Sequence, residues 1–152
     1  MVLKMESEQR SKSERLFDKA ERPHSLRVLV VEDHPDTLRA LELFIKALGH
    51  HPTLARNMQE ALLVGSAENE EFDLLLSDLR LPDGDGWELL LQLRKCGCCP
   101  KRAIAMSGWS GTEDFMRSKT AGFEAHLIKP FTPKVLQSAL LQKDGDDSNR
   151  YS

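Results

Sequence analysis

The stretch Leu26-Arg-Val-Leu-Val-Val-Glu-Asp-His-Pro35 decides the fold. Val28 to Val31 run without a polar interruption, as in a strand buried on both faces of a sheet. Two carboxylates follow at once. Pro35 then stands where a helix begins, since its missing N–H is unpaired in the first turn anyway. Leu38, Leu41, Ile45 and Leu48 recur at helical spacing, and Gly49 supplies the stop.

The same alternation continues downstream. Pro52 to Arg56 reads as a short strand, and Asn57-Met-Gln-Glu60 as a capping box that opens a second helix. Phe72 to Ser77 is a third strand ending at Asp78, and the Pro- and Gly-bearing stretch Leu79 to Gly86 reads as a loop. Trp87 to Lys95 is a third helix. Ala103 to Met106 is a fourth strand ending at Ser107, and a helix is predicted from near Ser110 with Glu113 as capping partner. Ala125 to Ile128 is the fifth strand, and Thr132-Pro133 caps a final helix bearing Leu136, Ala139 and Leu140. Five strands, each followed by a helix, predict an α/β fold with a five-stranded, doubly wound parallel sheet, because parallel strands need crossover connections.

Composition narrows the classes. The chain has 152 residues, 21 basic and 24 acidic, for a net charge of −3. That suits one domain with a packed core and offers no broad basic field for a nucleic-acid backbone. No apolar run exceeds four residues, which predicts neither a membrane span nor a signal-peptide core, so a cytoplasmic location is expected. Cys96, Cys98 and Cys99 are odd in number and clustered, so they read as reduced loop thiols rather than a disulfide framework or a zinc site. Residues 1–25 carry 11 charges and read as a charged helix or linker, whereas 143–152 read as a disordered polar tail.

In doubly wound sheets, ligands bind outside the carboxyl ends of the strands. Strand one ends in Glu32-Asp33, strand three in Asp78, strand four in Ser107 and strand five in Lys129-Pro130. Taken singly, each is an ordinary cap or turn residue. Together they bring three carboxylates, a hydroxyl and an ammonium to one sheet edge. Clustered carboxylates repel and are stable together only with a cation, and an all-oxygen site suits Mg²⁺. An ammonium and a hydroxyl would hold phosphoryl oxygens, and a carboxylate beside the metal can be the nucleophile. The chemistry that fits is phosphoryl transfer to an Asp.

Four segments carry a resemblance to a known family: Val-Leu-Val-Val-Glu-Asp at 28–33, Asp-Leu-Arg-Leu-Pro-Asp-Gly-Asp-Gly at 78–86, Met-Ser-Gly at 106–108 and Lys-Pro-Phe at 129–131. In this order and at these intervals they resemble the receiver domain of two-component response regulators, with a flavodoxin-like fold over residues 26–142. The resemblance implies that Asp78 is the phosphoacceptor for a histidine kinase or phosphotransfer protein. It implies that Mg²⁺ is held by Asp33, Asp78, Glu32 (mainly through water) and the backbone carbonyl of Arg80. Lys129 would pair with a phosphoryl oxygen, Ser107 would close on the phosphorylated site, and the Lys129-Pro130 bond would be cis.

His126 stands where the family's aromatic switch residue sits, and the plainer alternative is a half-exposed strand histidine without a role. Trp109, two residues after Ser107, is expected to shield the acyl phosphate from water, while Trp87 reads as packing. Output would come through a protein partner docked on the fourth helix, fifth strand and fifth helix, with no direct nucleic-acid contact and with a homodimer as an option. Too few residues follow residue 142 for a DNA-binding module. A turnover enzyme is not expected, because Arg80 occupies the place where aspartyl-nucleophile hydrolases carry an acid/base Asp. A fragment of a hybrid histidine kinase and a phosphorylation-independent docking module are the remaining readings.

Overall fold

The structure is a computed structural model, and it describes residues 25–67, 71–108 and 111–141. The expectations for the N-terminal segment up to residue 24, for Trp109 and for the tail at 143–152 lie outside the described residues. Five strands are β1 (Arg27–Val31), β2 (His51–Ala55), β3 (Leu74–Asp78), β4 (Arg102–Ser107) and β5 (Ala125–Ile128). Five helices follow them in turn: α1 (Pro35–Ala47), α2 (Met58–Ala67), α3 (Gly86–Lys95), α4 (Thr112–Ala121) and α5 (Pro133–Leu141). All strand pairings within the sheet are parallel, in the order β2-β1-β3-β4-β5. The expected doubly wound sheet is therefore present.

Successive strand residues face opposite sides, and each side has its own core. Val28, Val30, Leu74, Leu76, Ile104, Met106 and Leu127 pack under α1 and α5, against Leu41, Ile45, Leu136 and Leu140. Leu29, Val31, Leu75, Ala103 and Ala105 pack on the other side with Leu89, Leu90 and Leu93 of α3. Burial on both faces explains the unbroken apolar run at Val28–Val31.

Local caps fix several boundaries. Asn57 Oδ1 accepts the Glu60 N–H at 2.7 Å, and Glu60 returns a carboxylate oxygen to the N–H of Arg56 at 2.8 Å. Thr132 Oγ1 accepts from Val135 N–H at 3.2 Å, as the sequence predicts. The stretch expected as plain loop differs. Arg80–Leu81 and Gly84–Asp85 form a short antiparallel hairpin, and α3 starts at Gly86 because Asp85 caps it through the Glu88 N–H at 2.7 Å. Asp83 at the hairpin tip accepts the N–H groups of Met58 and Gln59 at 2.7 and 2.9 Å, tying the hairpin to the start of α2. Slight burial would raise the Asp83 pKa, but these N–H bonds outweigh it and hold the carboxyl below its ordinary value. The fourth helix starts at Thr112 behind Gly111, which offers no side-chain cap bond, and the expected pairing of Ser110 with Glu113 lies outside the described residues.

Candidate functional site

The chain leaves β1 toward β2 on one side and returns to β3 on the other, so the switch point lies between β1 and β3. Val31 pairs with Ser77 there, and the residues just beyond meet at the carboxyl edge. Glu32 is 1% exposed, Asp78 is 8% exposed and Asp33 is open to solvent. One carboxylate oxygen from each lies within 4.8 Å of the others. Such a cluster needs a positive partner.

Lys129 supplies part of it. Its ammonium donates to Asp78 Oδ2 at 2.7 Å and also to Glu32 Oε2. The other Asp78 oxygen accepts the backbone N–H of Arg80 at 3.1 Å, and Glu32 Oε1 accepts that of His34 at 3.2 Å. Burial would lower the Lys129 pKa, but bonding to Asp78 and Glu32 outweighs it and holds the ammonium above its ordinary value. Burial pushes the Glu32 carboxyl up, aided by the Asp78 charge and opposed by Lys129. One ammonium against three carboxylates leaves negative charge uncompensated, and all donors are oxygens. This donor set fits a hard divalent cation such as Mg²⁺.

Each predicted residue has a definite place. Ser107 closes β4, is 3% exposed, and its carbonyl accepts the Lys129 N–H at 2.8 Å, which brings the Lys129 backbone to the site. The Lys129–Pro130 peptide is cis, as expected. Arg80 sits on the hairpin with an exposed side chain. A cavity of about 400 Å³ adjoins Ser107, Arg80, Asp85, Trp87 and Asp114. The three cysteines are free thiols in the α3–β4 connection, and the Cys98 thiol is pushed up chiefly by its neighbour Cys96.

His126 does not face the carboxylates. It is fully buried on β5, so the half-exposed alternative is not met. Its ring packs edge-on against Phe115 of α4, with centroids 4.6 Å apart, and its Nδ1 lies 3.4 Å from the hydroxyl of Ser118. Nε2 is buried without a hydrogen-bond partner among the described residues, a situation that costs about 1–3 kcal/mol. Burial holds the imidazole below its ordinary pKa, against a smaller opposing pull from Asp114. Ser118 and Gly86 were missed in the sequence. No local signal in the sequence singles out Ser118, whose place depends on tertiary contacts with Trp87 and His126.

Residues 28–141 match the model of the response regulator receiver domain family. Among curated relatives, the KDP operon transcriptional regulatory protein KdpE of Escherichia coli is 35% identical over 113 residues, 74% of this chain and 48% of that protein. The chain thus spans about half the length of that relative, and 13–21% of several longer ones. A CheY-like receiver domain protein from Methanospirillum hungatei superposes with a TM-score of 0.67 at 29% identity, covering 77% of this chain and 91% of that one. A response regulator from Burkholderia pseudomallei, solved with a phosphorylated aspartic acid, a calcium ion and citrate, gives 0.69 at 25% identity, with 79% and 68% covered.

Proposed function

We propose that this chain, which belongs to the response regulator receiver domain family, accepts a phosphoryl group on Asp78 from a histidine kinase or phosphotransfer protein. The observation that supports this most directly is the shared Lys129 ammonium, which donates to both Glu32 and Asp78 beside the open Asp33. Lys129 and the Arg80 N–H each hold one Asp78 oxygen, so the carboxylate is oriented before a donor arrives.

An Asp78 oxygen attacks phosphorus, the bond from phosphorus to the donor's imidazole nitrogen breaks, and that nitrogen keeps the electron pair. The product is an acyl phosphate on Asp78. Lys129 then pairs with a phosphoryl oxygen, and the Ser107 hydroxyl donates to another. Glu32, Asp33, Asp78 and the Arg80 carbonyl would hold Mg²⁺, which supplies charge neutralisation for the transferring group. The phosphorylated aspartic acid and calcium ion in the Burkholderia pseudomallei relative support this reading. The chain acts as a stoichiometric acceptor in a signalling relay, not a turnover enzyme.

Output passes to a protein partner on the face formed by α4, β5 and α5, where Met116 and Val135 are exposed large apolar side chains. The same face would serve a homodimer, and no direct nucleic-acid contact is proposed. Among the described residues no helix is long and apolar enough to cross a membrane, and a cytoplasmic location is proposed. One observation favours a second reading, a docking module that works without phosphorylation: His126 is already turned inward.

Intact mass after incubation with acetyl phosphate tests the first reading. A Mg²⁺-dependent gain of one phosphoryl group, lost in Asp78→Asn, is expected. No gain in a folded protein would leave the docking module.

A further inference from the structure

Outside the acidic cluster, Trp87 on α3 bonds Ser118 on α4, and Ser118 in turn lies beside His126. An indole N–H can only donate, and that of Trp87 reaches Ser118 Oγ at 3.0 Å. Ser118 is fully buried, and its hydroxyl lies between this donor and His126 Nδ1 at 3.4 Å. With the indole on one lone pair, the hydroxyl hydrogen is free to go to Nδ1. A hydroxyl hydrogen turned to Nδ1 makes Nδ1 the acceptor and puts the single proton of the neutral ring on Nε2. That atom is buried with no acceptor among the described residues. A ring with an unmatched N–H stays inside only where other contacts hold it. Phe115 packs on its edge, and the Arg117 guanidinium lies 4.0 Å over the Trp87 ring and pins the indole. Asp114, also on α4, is the charged group whose field reaches the imidazole.

We propose that Ser118 and Trp87 are positioning residues that hold His126 inward as its Nε2–H tautomer, latching α4 to β5 before any phosphoryl group arrives. This rests on the reading of His126 as the switch residue. Turning outward costs His126 the Ser118 bond but gives its Nε2–H a water partner. A ligand at the neighbouring strand end shifts this balance by binding one state more tightly than the other.

The experiment uses the full chain labelled with ¹⁵N-histidine, together with the rate at which His126 is carbethoxylated. Wild type is expected to show the Nε2–H coupling pattern for His126 and strong protection. In Ser118→Ala the pattern averages between tautomers, and reactivity rises about tenfold as the minor outward state becomes common. Ser118→Thr, which keeps the hydroxyl, restores the wild-type pattern. Should Ser118→Ala fail to fold, Trp87→Phe carries the test, with reactivity expected to rise severalfold. An unchanged tautomer pattern and unchanged protection in the folded variants would overturn the latch. Phosphoryl uptake on Asp78, read by mass in the same samples, separates the two ideas. Normal uptake with His126 still protected in the variants removes the latch alone. Absent uptake in wild type removes the acceptor role alone.

Discussion

A Cβ placed on Gly86 would lie 2.7 Å from the carbonyl oxygen of Asp78, closer than real side chains come to backbone. The first residue of α3 and the last of β3 are therefore in direct backbone contact, and only glycine permits it. Gly86→Ala has to push β3 and α3 apart, an overpacking that costs about 1–3 kcal/mol. A lowered melting temperature and slowed phosphoryl uptake are expected together, because Asp78 is displaced. Gly84 provides the control. A Cβ there meets only the flexible end of Met58, at 3.0 Å, so Gly84→Ala should leave uptake near wild type.

Lys129→Met separates the ammonium from the packing of its stem. It leaves Glu32 and Asp78 facing each other without the cation that both now hold. Losing hydrogen bonds to charged groups costs about 1.5–3 kcal/mol each in favourable cases, and less here because Lys129 is partly exposed. Urea melts in chelator should show the loss. Adding Mg²⁺ should recover much of it, while phosphoryl uptake stays impaired because no ammonium meets the phosphoryl oxygen. Full uptake by Lys129→Met would end the assignment of that role.

Much of this was readable because it is local. Val28–Val31 announces a strand buried on two faces, and the functional side chains stand directly after strands, where chain topology alone brings them together. The hairpin at Arg80–Asp85 was not readable, since its two-residue strands are shorter than any hydrophobic period. Neither was the need for glycine at 86, which depends on how closely α3 docks on β3. His126 could be placed on a strand but not given a side, because its neighbours come from α4, and through Ser118 from α3. The start of α4 lies within two residues of the sequence expectation, and Gly111 at its N-cap has no side chain with which to mark the boundary.

Asp33 isolates the cation site from the fold. It is exposed, yet its carboxylate belongs to the oxygen cluster with Glu32 and Asp78. A cation that binds only the folded chain stabilises it by about 2.7 kcal/mol at a hundredfold excess over its dissociation constant. Thermal melts of wild type should therefore rise with millimolar Mg²⁺. Asp33→Asn should melt like wild type in chelator and lose most of the Mg²⁺ increment. An equal increment in both proteins would place the cation elsewhere.

The pH dependence of stability follows from His50 and His126. His50 Nδ1 accepts the Leu26 N–H at 3.0 Å, a bond that protonation at Nδ1 destroys, and its ring is buried. Burial, first of all, holds both histidines below the ordinary value of 6.5. Well above that value both folded and unfolded chains carry neutral imidazoles, and the difference contributes nothing. As pH falls through 6.5, the unfolded chain takes up protons that the folded chain refuses, so unfolding becomes easier. The loss stops growing below the folded-state values, where both forms are protonated. Each unit of depression corresponds to about 1.4 kcal/mol at full development. Urea midpoints should therefore fall between about pH 7 and pH 5. His126→Phe, which keeps the ring and removes the titration along with the unpaired Nε2, should shrink the fall and leave the share that belongs to His50. A fall as large in His126→Phe as in wild type would mean that the fold does not hold the His126 imidazole neutral.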